Sequence, residues 1–252
     1  MDYNRVSLED VCDLVAGYAF KSKDFGNYSS KVIKIAHITP PTVDMEGLSG
    51  VDITKYNPQK LEKYIAGSGD FVLAMTGATI GKIGRIEQGN AYINQRVLLF
   101  KNRNSIDKDY LYYVLQQYEF EQYILSHIDS ESAQPNISAG TIGKYTFNLP
   151  DMEIQRKIGR LLRSLDAKRE INRKINDNLL EQASALFEKA IRQSNSLSKV
   201  ELSSLAEVKG GKRLPKGVNL VTVPNQHPYI RVRDLNNAVY ASLSKDYEYV
   251  DN

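Results

Sequence analysis

One cysteine, Cys12, is present among 252 residues. That scarcity excludes a disulfide framework and suits a reducing cytoplasm. No apolar stretch approaches the ~18 residues that a membrane-spanning helix needs, so no membrane crossing is expected. The opening Met1-Asp2-Tyr3-Asn4-Arg5 lacks the basic-then-apolar order of a signal peptide. Histidine is scarce too: His37, His127 and His227 stand far apart, with no second ligand at metal spacing. Charge is nearly balanced, 33 Lys and Arg against 30 Asp and Glu, for a net +3. That excess does not by itself argue for nucleic acid. What remains is an ordinary globular composition, 42% hydrophobic and 25% charged. The length allows one large or two medium domains.

The chain begins the same way twice. Leu8-Glu9-Asp10-Val11-Cys12-Asp13-Leu14-Val15-Ala16-Gly17 is a short apolar-periodic segment closed by glycine. Leu202-Ser203-Ser204-Leu205-Ala206-Glu207-Val208-Lys209-Gly210-Gly211 repeats the pattern. A basic loop follows each, with Lys21 and Lys23 in one and Lys212, Arg213 and Lys216 in the other. β-branched runs come next, at residues 32–38 and 229–235. A repeat with the period of a whole domain predicts two similar modules, the second cut short at Asn252.

Residues 1–150 alternate β-like runs with turns. Phe71-Val72-Leu73-Ala74-Met75, a run at 80–86 interrupted by Gly81 and Gly84, Tyr92-Ile93 and Val97-Leu98-Leu99-Phe100 predict antiparallel strands. Leu111, Val114, Leu115, Tyr118 and Ile124 predict one helix over 108–126. The expected class is α+β. Residues 151–193 contain no Pro and only Gly159. There Ile154, Ile158, Leu161, Leu165, Ile175, Leu179 and Leu186 recur at coiled-coil-like steps. A helix of about 40 residues runs roughly 60 Å. It is expected to project, with a stripe that needs a partner. Lys168 and Asn172 interrupt the seam; either they fix register or Ile171 takes over. Residues 194–200 read as a polar linker. Residues 201–252 read as an incomplete second module, too short for a core like the first.

Enzymatic motifs fail on geometry. Pro150-Asp151 followed by Asp166-Ala167-Lys168 has the letters of a metal-dependent nuclease. On a helix pattern, however, Asp151 and Asp166 lie roughly 22 Å apart and cannot share an ion. Gly77-Ala78-Thr79-Ile80-Gly81-Lys82-Ile83 is one residue short of a P-loop and lacks Ser or Thr after Lys82. No catalytic residue, metal or cofactor is expected.

The arrangement resembles the specificity subunit of type I restriction-modification systems. The segments that carry the resemblance are the openings closed at Gly17 and Gly211 and the runs Ile33-Lys34-Ile35 and Tyr229-Ile230-Arg231. Others are Gly69-Asp70-Phe71-Val72-Leu73 leading to Thr79-Ile80-Gly81, then Asn94-Gln95-Arg96, Pro135-Asn136-Ile137-Ser138 and Leu149-Pro150. Last comes Glu153-Ile154-Gln155 leading to Ile158, Leu161, Leu162 and Asp166. The resemblance implies a first target recognition domain at 1–150, a long spacer helix at 151–193 and the start of a second recognition domain at 201–252. It implies double-stranded DNA and methyltransferase subunits as partners, with restriction and translocase subunits joining through the complex. The resemblance also implies that the methyltransferase subunits carry S-adenosylmethionine; no Asn-Pro-Pro-Tyr stretch of adenine methylation occurs here.

A DNA reader needs cations for phosphates and amide or guanidinium groups for base edges. Candidates are Lys21, Lys23, Lys82, Arg85, Asn94, Gln95, Arg96, Gln134, Asn136 and Lys144. Taken alone, each reads first as an ordinary solvated side chain, and Asn94-Gln95-Arg96 lies beside a strand, where at least one of the three is expected to be structural. Arg156, Arg160 and Arg163 form a basic stripe on the helix. It suits DNA backbone, an acidic partner face or a solvated coiled-coil flank. Two such chains paired through their helices would present two readers to a palindromic split target. The competing reading is a protein-binding scaffold that uses the helix seam without DNA readout.

Overall fold

The alternation of apolar side chains along two central strands sets the architecture. The computed structural model describes residues 4–129, 135–194, 198–211, 214, 217–231 and 248–250. The chain divides into two units, Met1–Ala183 and Ser184–Asn252. The first unit opens with β1 (Asn4–Ser7), α1 (Leu8–Val11), β2 (Cys12–Ala16), β3 (Phe25–Ile33), β4 (Ile38–Thr39), β5 (Thr42–Val43) and β6 (Ser49–Val51). It continues with α2 (Pro58–Leu61), β7 (Ile65–Gly67), β8 (Phe71–Ala74), β9 (Ile83–Arg85), β10 (Asn90–Ile93) and β11 (Val97–Asn102). It closes with α3 (Lys108–Val114), α4 (Tyr118–Ser126), α5 (Ala139–Gly143), β12 (Thr146–Leu149) and the start of α6 (Met152–Gln193).

One mixed sheet has the order β2-β11-β8-β9-β5-β4; its only parallel pair is β5 with β9. In β8, Phe71 and Leu73 enter one core while Val72 and Ala74 enter another. In β11, Leu98 and Phe100 share the first core, Val97 and Leu99 the second. Alternation thus becomes a sheet buried on both faces. The first core is completed by α3 and α4 through Leu111, Leu115, Phe120 and Ile124. Burying each such side chain contributes about 1.5–3 kcal/mol. A second sheet, β6-β3-β10-β7, covers a smaller core of Phe20, Val32, Val51 and Leu61 rimmed by tyrosines.

Several expected elements differ. The helix expected over 108–126 is two helices, α3 and α4. The break at 115–117 turns Tyr118 outward, 69% exposed, and brings Phe120 into the core. The run 80–86 contributes only β9, because Gly77–Thr79 forms a 3-10 turn and Gly81 takes a left-handed φ of 81°. The run 32–38 leaves the strand after Ile33 and turns at Ile35–His37. The opening segment is a four-residue helix followed by a strand, with Cys12 buried in the core. Asp10 accepts hydrogen bonds from the Ser7 backbone N–H (2.8 Å) and the Ser7 hydroxyl, which fixes the entry to α1.

In the second unit, α7 (Leu202–Leu205) reproduces α1 in length and in its apolar ends. The strands β13 (Leu220–Val221), β14 (Pro228–Tyr229) and β15 (Glu248–Val250) form a sheet in the order β13-β15-β14. Lys212, Arg213, Lys216 and residues 232–235 of the expected second run lie outside the described residues.

The long helix expected after Pro150 is α6, 42 residues and about 63 Å at 1.5 Å per residue. Its docking face is polar and small. The buried Gln155 amide accepts the Asp107 N–H at 2.8 Å and donates to the Pro150 carbonyl at 2.8 Å. A Cβ on Gly159 would sit 2.8 Å from Asp107 Oδ1 and 3.0 Å from the Tyr110 nitrogen. Tyr113 donates its hydroxyl to Asp166 at 2.7 Å, and Arg163 pairs with Glu87 at 3.6 Å. Asp166, half of the discarded nuclease motif, is therefore a docking group. Gly159→Leu should destabilise the chain by about 1–3 kcal/mol through overpacking, read as a lower Tm. An unchanged Tm would show that the helix is not seated here.

Candidate nucleic-acid interface

Lys21 caps the start of a 3-10 turn, Ser22–Asp24, and Lys23 lies within it. The turn is held by Asp24, whose side chain is buried. Asp24 accepts the Tyr56 hydroxyl at 2.6 Å and the Lys55 ammonium at 3.0 Å. Tyr56 Oη in turn accepts the Lys21 backbone N–H at 3.1 Å. The Tyr56 hydroxyl first, then Lys55, hold the Asp24 carboxyl below the ordinary carboxylate range. Burial and then Asp24 push the Tyr56 phenol up. Beneath the turn, Tyr18, Phe20, Tyr56 and Tyr64 meet with ring centroids 5.0–5.5 Å apart, largely edge to face. Lys21 and Lys23 are exposed and join no ion pair among the described residues.

A second turn hangs from Tyr18, whose ring meets that of Tyr56. The Tyr18 N–H donates to the Ile93 carbonyl, and the Tyr18 carbonyl accepts the Gln95 N–H, both at 2.9 Å. Gly17 is required beside it, since a Cβ there would lie 2.1 Å from the Asn94 carbonyl oxygen. Arg96 adopts a left-handed φ of 74°, uncommon for a non-glycine residue. Its carbonyl accepts the Met75 N–H at 2.8 Å, and its Nη1 donates to Asn136 Oδ1 at 3.2 Å. Gln95 and Arg96 are exposed, and Asn136 is half-buried. The structure therefore brings Gln95, Arg96 and Asn136 together and couples them to Lys21 and Lys23 through the backbone of residues 17–21.

Other candidates are placed elsewhere. Arg85 is inside: its side chain is 5% exposed, paired with Asp109 at 2.5 Å and 4.2 Å over the Tyr112 ring. The expectation that it reaches DNA does not fit this placement; it ties β9 to α3. Asn94 is likewise structural, its N–H on the Ile33 carbonyl and its side-chain oxygen buried. Lys82 is exposed at the end of the Gly77–Gly81 hairpin, and Lys144 is exposed at the C-cap of α5. Gln134 lies outside the described residues. Sequence reasoning passed over Lys31, Lys34, Lys55, Lys60 and Lys63, which surround the same small sheet as Lys21 and Lys23. The legible signal was lysine density across residues 21–63.

On α6, the seam is left open by its own domain. Ile154 is half-buried, but Leu161 and Leu165 are 61% and 47% exposed, and Ile158, Ile171, Ile175 and Leu179 are exposed too. Leu186, in the second unit, is also exposed. Lys168 and Asn172 are exposed beside Ile171. Arg156 and Arg160 face solvent. Among the described residues no helix is long and apolar enough to cross a membrane, and no group of His, Cys, Asp and Glu is placed to hold a metal ion.

Residues 1–181 match the family described as Type I restriction modification DNA specificity domain. The chain is 30% identical over 185 residues to the type I restriction enzyme MjaVIII specificity subunit of Methanocaldococcus jannaschii, covering 71% of this chain and 43% of that protein. It is 28% identical over 123 residues to the HindI specificity subunit of Haemophilus influenzae, covering 43% of this chain and 27% of that protein. It thus spans less than half the length of these curated relatives. The crystal structure of a type I restriction-modification S subunit from M. genitalium aligns with a TM-score of 0.52 at 15% identity, over 91% of this chain and 59% of that one. That likeness concerns the fold alone, an α+β domain followed by a long helix.

Tyr56→Phe removes the Asp24 hydroxyl bond and the acceptor for Lys21. A loss of about 2–4 °C in Tm at pH 7 is expected, the size of one net hydrogen bond. Because the folded Asp24 carboxyl is depressed, its stabilisation is complete above its ordinary value and is lost as pH falls through the folded value. The gap between wild type and variant should therefore close on acidification. A gap that widens would contradict the anchor.

Proposed function

The chain belongs to the type I restriction-modification DNA specificity family, and from that membership we propose that residues 1–150 form a target recognition domain reading one half of a split double-stranded DNA target. The observation that carries this reading is the shared anchoring of two unlike turns. One offers Lys21 and Lys23, free of ion pairs among the described residues, to phosphates. The other offers Gln95, Arg96 and Asn136 to base edges. Phosphate contacts position a reader and base contacts specify its sequence, so a reader needs both kinds in fixed relation. The hydrogen bonds and rings around Tyr18 supply that relation.

Residues 151–193 are the spacer. The stripe of Leu161, Leu165, Ile175, Leu179 and Leu186 is the platform for methyltransferase subunits, and through them for restriction and translocase subunits. It also allows a second copy of the chain to pair helix to helix. The chain itself is non-catalytic and works in the cytoplasm, and residues 201–252 begin a second recognition domain after the linker at 194–200.

The test is affinity for target DNA, measured against salt in a complex reconstituted with the cognate methyltransferase. Each phosphate contact contributes about 0.9 to the slope of log K against log salt. Lys21→Gln with Lys23→Gln should lower that slope by about 2. Arg96→Ala should weaken binding or relax one base pair by about tenfold. Binding that ignores salt and both sets of substitutions would leave only a protein scaffold.

A further inference from the structure

The second strand of the small sheet breaks its own pattern. In β3, Phe25 faces Val51 and Gly26 faces Gly50, yet Lys31 also faces Gly50 and Val32 faces Ser49. Residues 27–30 therefore stand opposite nothing. An ordinary bulge inserts one residue; this one raises a whole arch. Period-two alternation is lost along it: Gly26, Asn27, Tyr28 and Ser29 are exposed in succession, whereas a half-buried strand hides every second side chain.

The arch is shaped by what lies under it. Gly50 is buried, and a Cβ there would fall 2.2 Å from the Tyr28 carbonyl oxygen and 2.5 Å from the Tyr28 nitrogen. The backbone of the arch rests directly on Gly50. A Cβ on Gly26 would lie 2.9 Å from the Tyr28 ring. Gly50 thus lets the bulge fold tightly onto the sheet, and Gly26 leaves room for the Tyr28 ring. The side chains of the arch are another matter. Tyr28 is 41% exposed, and Asn27, Tyr28, Ser29 and Ser30 make no side-chain hydrogen bond among the described residues.

Their neighbours are cationic. Lys21 and Lys23 precede the arch on the turn pinned by Asp24, Lys31 closes it, and Lys34 lies 3.9 Å over the Phe25 ring at its base. A rigid arch of unspent amide and hydroxyl groups between phosphate-seeking lysines has the composition of a base-reading element: asparagine pairs bidentately with adenine, and serine and tyrosine hydroxyls bond to base edges or phosphates. We infer that the β3 arch, through Asn27 and Tyr28, determines part of the DNA sequence this chain recognises. The inference rests on the proposed DNA-reading function and adds a specificity element to it. Bulges elsewhere re-aim side chains at functional sites in the same way.

The test uses the chain in complex with its methyltransferase. Genomic DNA modified by the complex is sequenced to give the modified motif, and affinity is measured for duplexes carrying that motif and each single-base variant. Asn27→Ala and Tyr28→Phe remove an exposed amide and a hydroxyl that make no hydrogen bond among the described residues, and Tyr28→Phe keeps the ring in place, so Tm should not change. Each should relax discrimination at one position of the motif by about tenfold and leave the salt slope as it was. If both variants keep the motif and the discrimination while Lys21→Gln with Lys23→Gln weakens binding, the arch is not a reader and the DNA function stands. A uniform loss of affinity across all duplexes would make the arch a phosphate contact and overturn the inference. If neither the arch variants nor the lysine variants alter DNA binding, the DNA-reading function fails with it.

Discussion

The buried amide of Gln155 settles how the long helix meets its domain. A helix that carries Leu161, Leu165, Ile175 and Leu179 would gain most by laying that stripe on the nearest apolar surface, at about 1.5–3 kcal/mol for each side chain covered. It does not do so because another face is already committed. Gln155, Gly159 and Asp166 fall on that face and meet Asp107, Tyr110 and Tyr113 at hydrogen-bond or backbone-contact distance. A polar joint has fixed geometry, since each donor requires its own acceptor, whereas an apolar contact tolerates sliding. The joint therefore orients the helix and leaves the stripe uncovered. A partner that covered it would gain on the order of 10 kcal/mol before the costs of association.

The same division between polar anchor and free functional group recurs at the small sheet. Asp24, Tyr56 and the rings around Tyr18 hold turns whose outward side chains are not used internally. Groups already fixed lose little conformational freedom on binding, so more of each contact appears as affinity. Net charge is an incomplete guide here. The chain carries only +3, yet Asp24 and Asp52, two of the acids near the basic turn, are both tied to Lys55. Lys21 and Lys23 join no ion pair among the described residues. Local pairing decides which charges are available, and salt screens those that remain.

How much of this was readable from the sequence depends on period and polarity. Strong periodic signals came through. β8 and the first four residues of β11 were legible because they are apolar without interruption, and α6 because its pattern persists over many turns without proline. Where two short helices shift phase, as between Val114 and Tyr118, a single continuous pattern misled. Residues whose role is set by a distant partner could not be read at all. Arg85 looks like a surface cation until Asp109 and Tyr112 are placed beside it. Gln155 looks like a solvated helical residue until the Asp107 N–H is placed on its amide. Asn94, Gln95 and Arg96 are consecutive letters with opposite fates, because the chain turns between them.

The β3 arch shows why a reader would place variable chemistry outside the ladder. A residue paired in a sheet contributes a hydrogen bond and often a core side chain, so changing it alters stability as well as recognition. Asn94 and Arg85 are residues of that kind, fixed by the fold around them. Residues 27–30 oppose no partner residue, and their support comes from the backbone of Tyr28 resting on Gly50. Their side chains can be exchanged while that support remains. In the proposed reader, the sheet sets where a base-reading group stands, and the arch sets which group it is. A scaffold divided in this way can change its target without being refolded around each new one.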